Sequence, residues 1–188
     1  AAALRGKTRA SIRVAADLIS HDGGLSERSR RSLGRIQGAN AEMESLMDAL
    51  LLLARDDGVA LQTEDFGVRE VVEHELERIR PLVEGKGLVL DWQVDAEPHI
   101  HAPPRVLGVM LGNVLSNAVR FTDTGRIGVR LAADRVEVID TGIGMDAAAL
   151  ARAIEPFYRA NLEQPAGSGL GLSIVHRLGQ RCRCPPQL

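Results

Sequence analysis

The stretch VEVIDTGIG at residues 136–144 decides the fold class of this chain. Its apolar first part predicts a strand, which ends in Asp140 and is followed by Gly142 and Gly144. A carboxylate at the end of a strand can accept a hydrogen bond from an exocyclic amine. Glycines beside it allow the backbone to approach a planar ring closely. The stretch therefore predicts one part of a nucleotide site.

Two other segments have chemistry that suits the same ligand. Asn113 and Asn117 lie four residues apart, on one face of a predicted helix, and amide oxygens suit Mg²⁺. The run GSGLG at residues 167–171 opens another predicted helix and would offer backbone N–H groups to phosphates. The chain has no G-x-x-x-x-G-K-[ST] run, which excludes an ordinary P-loop. Each segment alone has a simple structural explanation, and together they indicate a nucleotide site.

The segments around these motifs alternate between strand and helix patterns. We predict a strand and helix over 66–84, a strand over 88–94, a helix over 103–121, a hairpin over 126–139 and a helix over 170–178. This order predicts an α+β fold in which helices cover one face of a sheet. Residues 181–188 have no strand pattern and contain Pro185 and Pro186, so we expect an irregular tail and a C-terminally truncated domain.

The first 57 residues have a different pattern. Two helices are predicted, over 4–20 and from an N-cap at Ser26 to about Asp57, and the second has a wide apolar face. Two helices cannot bury that face alone, so we expect a dimerisation hairpin that forms a four-helix bundle in the dimer. Packing of the hairpin on its own C-terminal part is the alternative. The expected domains are 1–57 (hairpin), 58–65 (linker), 66–180 and 181–188 (tail).

Composition limits the class of protein. The chain has 188 residues, 45% hydrophobic and 26% charged, which fits one full domain with a smaller attachment. The net charge of −2 argues against a nucleic-acid partner. No apolar run approaches the roughly 20 residues of a membrane span. Two cysteines near one end give no disulfide framework, so we expect a cytoplasmic chain without membrane contact.

Four motifs give the chain a resemblance to a known family. LGNVLSNAVRFT (111–122), VIDTGIGM (138–145), IEPFYRA (154–160) and GSGLGLSIV (167–175) resemble the N, G1, F and G2 boxes of sensor histidine kinases. The resemblance implies the Bergerat ATP-binding fold, an α/β sandwich that is shared with chaperone, mismatch-repair and gyrase ATPases. ATP and Mg²⁺ are the cofactors that it implies.

The resemblance also implies roles by position. Asn117 would hold Mg²⁺ with Asn113 beside it, and Asp140 would receive the adenine amine in the space left by Gly142 and Gly144. The remaining positions would lie near the phosphates or in a mobile lid. They are Arg120, Glu155, Phe157, Tyr158, Arg159, Gly167, Gly169, Leu170 and Gly171.

The N-terminal helix departs from the family pattern. Aligned with the first dimerisation helix of the family, Ala2 takes the place of the phospho-accepting histidine and Ala3 that of the general base. The resemblance implies autophosphorylation of a histidine, transfer to the receiver domain of a response regulator, a homodimer, and a parent protein anchored in the bacterial inner membrane. Alanine cannot accept the phosphoryl group, and His21 lies far away in a glycine turn. A non-catalytic pseudokinase, or an ATPase or serine kinase on the same fold, is the alternative.

Overall fold

The computed structural model describes residues 62–160 and 168–182, together with residues 26, 29, 32, 36, 43, 47, 184, 186 and 187. The chain divides into two compact units, residues 1–47 and 48–188. Ala2, Ala3, His21 and Gly167 lie outside the described residues.

The described positions of the first unit fall in the second predicted helix. The backbone is helical at Ser29, Ser32, Ile36, Met43 and Met47. Ser26 Oγ accepts a hydrogen bond of 3.1 Å from the backbone N–H of Ser29, which is the predicted N-cap contact. Dimerisation through this unit stays a prediction, as do the expected domain bounds.

The second unit contains five strands and four helices within its described part. In chain order they are β1 (Glu64–Gly67), α1 (Val68–Gly85), β2 (Val89–Val94), β3 (His99–Ala102), α2 (Pro104–Phe121), β4 (Arg126–Leu131), β5 (Val136–Asp140), α3 (Ala147–Arg152) and α4 (Gly171–Arg181). The predicted α+β fold is confirmed, and so are the two helices on either side of β2 and the β4–β5 hairpin.

The larger sheet has β4 at its centre. β4 pairs with β2 in parallel and with β5 antiparallel, while β1 and β3 form a separate two-stranded ribbon. Every second residue of β4 is buried, as the two-residue period of a strand requires: Ile127, Val129 and Leu131. These side chains pack with those of α1 and α2, so the core lies between one face of the sheet and the helices.

Helix α2 lies between α1 and α4 and contributes to both contacts. It begins at Pro104, where the missing N–H costs no helical hydrogen bond, and it ends where Thr122 becomes extended. Leu115 on its inner face is fully buried. One continuous helix therefore carries the two asparagines and also reaches the strand end at Asp140.

Two elements were absent from the sequence predictions. β3 has the sequence HIHA, whose alternation of polar and apolar residues covers only four positions, and three of these four residues are exposed. α3 lies in the glycine-punctuated segment after β5, and Asp146 starts it by accepting a hydrogen bond of 2.7 Å from the N–H of Ala149. An Asp before a run of alanines is a helix-start signal that could have predicted α3.

We find no helix among the described residues that is long and apolar enough to cross a membrane. The described tail positions, Cys184, Pro186 and Gln187, lie outside helices and strands.

Candidate functional site

Asp140 is held in one orientation at the end of β5. Its Oδ1 accepts a hydrogen bond of 2.9 Å from the N–H of Gly142 and a longer one of 3.5 Å from the hydroxyl of Thr122. Thr122 is fully buried, so its hydroxyl has few other directions to take. Both bonds go to one oxygen, and the carboxylate as a whole stays exposed. Within the described residues, neither of these hydrogen bonds reaches the second oxygen, Oδ2.

The loop that follows β5, residues 141–144 (the glycine loop), lies directly against the end of α2. A Cβ added to Gly142 would lie 2.4 Å from the carbonyl oxygen of Phe121 and 2.7 Å from Asp140 Oδ1, distances that no side chain can occupy. The next residue, Ile143, donates its N–H to the same Phe121 carbonyl at 3.2 Å. Gly144 has a positive φ of 64°. The loop is therefore fixed to α2 by contact and by a hydrogen bond.

The two asparagines face the first residue of α4. Asn113 is buried, and its Nδ2 donates to the carbonyl of Val109 at 2.8 Å, which leaves Oδ1 directed elsewhere. A Cβ added to Gly171 would lie 3.2 Å from Asn113 Oδ1, and 3.6 Å and 3.8 Å from Asn117 Nδ2 and Oδ1. The structure thus brings the two asparagines next to Gly171, which lies far from them in sequence, at the N-terminus of an 11-residue helix.

The turn that leads into α4 is built by polar contacts. Leu170 donates its N–H to Ser168 Oγ at 3.3 Å, and its carbonyl accepts from Ser173 Oγ at 2.8 Å. Ser173 is buried. The sequence had not singled out either serine, although a serine on each side of a glycine turn is a common capping arrangement.

The segment that carries the aromatic motif, residues 154–160, is hydrogen-bonded to the turn before α4. Phe157 donates its N–H to the carbonyl of Gly169 at 2.9 Å. Both residues have positive φ values, 65° and 68°, and a Cβ on Gly169 would lie 2.7 Å from the carbonyl oxygen of Tyr158. Only glycine fits there. The Phe157 side chain is 71% exposed, which places an unusually large apolar surface in solvent beside the site.

Arg152 reinforces the start of this segment. Its guanidinium lies 4.3 Å from the centre of the Tyr158 ring, and its Nε pairs with Glu155 at 3.1 Å. The two basic residues that the sequence predicts for the site, Arg120 and Arg159, are half-buried. Arg120 lies in the last turn of α2, one turn beyond Asn117.

The sequence missed the residues that hold Asp140 in place. The Thr122 hydroxyl donates to Asp140, and the Phe121 carbonyl holds the loop whose Gly142 N–H donates to the same carboxylate; both positions follow directly from where α2 ends. A helix end is the feature that sequence patterns locate least well. The signal that could have found Thr122 is a hydroxyl residue just after a helix that is already suspected of facing a ligand.

The fold agrees with comparisons to known proteins. Residues 103–183 match the family of histidine kinase-, DNA gyrase B- and HSP90-like ATPases. The sensor protein TorS of Escherichia coli K12 is 33% identical over 144 residues, 73% of this chain. The mycobacterial sensor histidine kinase MprB has a TM-score of 0.56 and 27% identity over 65% of this chain and 81% of that structure. Full-length ShkA in complex with AMPPNP has a TM-score of 0.62 and 28% identity over 95% of this chain and 40% of that structure.

These matches define the class of protein: the chain contains an ATPase domain of the histidine kinase, gyrase and HSP90 kind. Within that class, the proteins that match are sensor histidine kinases, so the matched domain is similar to the ATP-binding domain of that family, as the sequence motifs predict. The chain spans only 16% of the length of TorS, so the activity of a whole protein is a separate question.

Proposed function

We propose that this chain is the catalytic core of a sensor histidine kinase and binds Mg·ATP between α2, the glycine loop and the start of α4. One observation carries the proposal. The Asp140 carboxylate, held through one oxygen, lies beside the C-terminal end of α2, and the side-chain amides of Asn113 and Asn117 on the same helix lie next to the N-terminus of α4. These groups complement the two ends of a nucleotide.

The base end is assigned to Asp140. Its Oδ2 accepts a hydrogen bond from the 6-amino group of adenine. The absence of side chains at Gly142 and Gly144 leaves room for the ring. Guanine has a carbonyl at that position, so a carboxylate would face it with repulsion. The exposed position of Asp140 leaves this edge accessible to a ligand.

The phosphate end is assigned to Asn117, Asn113 and the start of α4. Asparagine oxygens fit Mg²⁺, whose other ligands would be phosphates and water. Among the described residues, no group of three acidic, histidine or cysteine side chains could hold a metal alone, which fits an ion that is shared with a nucleotide. When bound, Mg²⁺ neutralises charge on the phosphates.

The remaining predicted residues are assigned to the phosphates and the lid. The amides at Gly169, Leu170 and Gly171 open an α-helix, where the dipole favours an anion. Arg120, Phe157, Arg159 and Gly167 complete the proposed site. Gly167 rests on the sequence resemblance alone.

Magnesium dependence tests the proposal. We expect Mg²⁺ to strengthen ADP binding to the unchanged chain and to have little effect on Asn117→Ala, measured by calorimetric titration with and without the ion. Gln180→Ala removes an exposed amide from the far end of α4 and serves as the matched control. Equal magnesium effects in the unchanged chain and Asn117→Ala would contradict the assignment.

Phosphoryl transfer is a finer part of the proposal. The parent reaction would be ATP-dependent phosphorylation of a histidine on the hairpin of a homodimer, then transfer to the receiver domain of a response regulator. The resemblance places Ala2 and Ala3 at the acceptor and general-base positions, so this chain would bind nucleotide without labelling itself there. A pseudokinase that regulates a partner through dimerisation and nucleotide binding is the second candidate, and Ala2 is the observation that favours it. Anchoring of the parent protein in a membrane likewise rests on the resemblance.

A further inference from the structure

A lysine that follows α1 donates hydrogen bonds to the C-terminal end of α2. Lys86, the residue that follows α1, directs its ammonium group at three backbone carbonyls: Val119 at 2.9 Å, Arg120 at 3.1 Å and Thr122 at 3.0 Å. It also lies 3.3 Å from the carboxylate of Asp123. An ammonium has three N–H donors, which are shared among these four acceptors, and the Asp123 carboxylate is the most distant of them.

This contact satisfies the carbonyls that a helix leaves open at its C-terminus. The last carbonyls of a helix have no intrahelical donor, and a cation there also offsets the negative end of the helix dipole. The Phe121 carbonyl, which lies between those of Arg120 and Thr122 in the chain, accepts a hydrogen bond from the N–H of Ile143 in the glycine loop. The last turn of α2 is therefore held by Lys86 on one side and by the loop on the other.

The same turn supplies the groups that hold Asp140. Lys86 fixes the backbone of Thr122, whose hydroxyl donates to Asp140 Oδ1. The Phe121 carbonyl sets the position of the loop through its close contact with Gly142. A displacement of this turn would therefore move both supports of the carboxylate together.

We propose that Lys86 is a positioning residue for the base end of the nucleotide site, acting through Thr122 and Phe121 on Asp140. The inference rests on the proposed function, because Asp140 must receive the base for its position to matter. Asn113 and Asn117 lie nearer the N-terminus of α2 than the carbonyls that Lys86 contacts, and Asn113 is bonded to Val109, so we expect the effect of Lys86 to fall mainly on base recognition.

A thermodynamic cycle, in which Lys86 and the 6-amino group of adenine are removed separately and together, tests this proposal. Lys86→Met keeps a long side chain and removes the three donors. Dissociation constants are measured by calorimetry for Mg·ADP and for the diphosphate of purine riboside, which lacks the 6-amino group. We expect Lys86→Met to weaken ADP binding by about fivefold to tenfold and to weaken binding of the amine-free ligand much less.

A purely structural role gives a different result. Loss of folded protein lowers the fitted number of sites for both ligands without changing the ratio of their dissociation constants. If removal of the amine weakens binding by the same factor in the unchanged chain and in Lys86→Met, the proposal is wrong. If the unchanged chain binds neither ligand, the proposed function itself fails, and the two failures are thereby distinguished.

Three further variants make the experiment robust. Arg80→Met removes a cation from an exposed ion pair on α1 and is the matched control, with an expected ratio equal to that of the unchanged chain. Asp123→Asn removes the charged partner of Lys86 but leaves the three carbonyls, and we expect the ratio to be kept. Lys86→Leu also removes all the donors and replaces Lys86→Met if that variant does not fold; a ratio unchanged from the parent would again refute the proposal.

Discussion

At the residue scale, the protein holds the Asp140 carboxylate through one of its two oxygens. Within the described part of the chain, its hydrogen bonds come from Gly142 and Thr122 and reach Oδ1. A carboxylate held in this way loses little freedom when a ligand donates to the other oxygen. The orientation of Asp140 is thus set before any nucleotide binds.

Replacing this carboxylate with an amide should separate recognition from folding. We expect Asp140→Asn to weaken Mg·ADP binding by about tenfold or more, because a charge-assisted hydrogen bond to the adenine amine is lost. Displacement of a fluorescent nucleotide measures the change. Asp134→Asn, an exposed residue beside Arg135 in the β4–β5 turn, is the control and should bind normally. Equal affinities of the two variants would argue against Asp140 as the base-binding residue.

Gly142 provides a steric test of the same loop. A Cβ there would collide with the Phe121 carbonyl at 2.4 Å, so Gly142→Ala must displace the loop or the end of α2. We expect the free energy of unfolding to fall by about 1 to 3 kcal/mol, as measured by urea denaturation. Gly85→Ala, at a helical position with open space around it, should leave stability unchanged or slightly higher. Similar losses in both variants would contradict the close approach.

At the element scale, the contact between α1 and α2 contains a buried acid. Glu75 of α1 is 4% exposed and lies against two glycines of α2 that are spaced by four residues. A Cβ at Gly112 would lie 2.9 Å from Glu75 Oε2, and one at Gly108 would lie 3.4 Å from Oε1. Oε2 is also 2.9 Å from Arg78 Nη1, in an orientation that makes no hydrogen bond within the described residues. Burial raises the pKa of Glu75 above its ordinary value, and Arg78 opposes that rise.

A raised pKa in the folded state makes stability fall as pH rises. Above the ordinary value of 4.5 the unfolded chain releases the Glu75 proton while the folded chain keeps it, so the free energy of unfolding decreases until pH passes the folded pKa. We expect Glu75→Gln to remove this slope and to raise stability at neutral pH by about 1 to 3 kcal/mol. Urea denaturation at a series of pH values measures both effects.

The control for this prediction lies on the same helix. Glu77→Gln changes an exposed carboxylate that pairs with Arg80, and it should keep the decline of stability with pH. If Glu75→Gln retains the same slope as the parent chain, the buried carboxyl is not its source.

The sequence predicted the elements that have strong periodicity and missed those that depend on neighbours. β4 shows the two-residue alternation clearly because one of its faces is buried, and α2 shows a long apolar face. Within the described residues β3 pairs only with β1, and its four residues, mostly exposed, are too few for their alternation to stand out. The separation of β1 and β3 from the larger sheet is a tertiary property that local patterns do not contain.

At the scale of the whole molecule, helix α2 connects the two parts of the proposed site. It carries Asn113 and Asn117, and its C-terminal end lies beside the glycine loop and Asp140. Motifs predicted Asn113, Asn117 and Asp140, and the structure brings them to one helix and the loop at its end. Motifs did not predict Lys86 or Thr122, because their roles depend on where helices end relative to one another. Supporting residues of this kind require coordinates.

The departures at Ala2 and Ala3 lead to a prediction for the complete chain. Incubation with radiolabelled ATP should leave the protein unlabelled, because alanine offers no nucleophile at the expected acceptor position. The double variant Ala2→His, Ala3→Glu should acquire an acid-labile, base-stable label if the chain is a kinase that lacks only its acceptor. A variant that binds nucleotide and stays unlabelled would favour the pseudokinase. A label on the unchanged chain would show that another residue accepts the phosphoryl group.

The central claim is that this chain binds an adenine nucleotide at α2, the glycine loop and the start of α4. Its most direct test is a calorimetric titration of the full chain with Mg·ADP, and with Mg·GDP as the comparison. We predict saturable binding of one ADP per chain, with GDP weaker by about tenfold or more because the Asp140 carboxylate repels its carbonyl. No heat of binding from protein that is folded by circular dichroism, or equal affinity for both nucleotides, would contradict the claim.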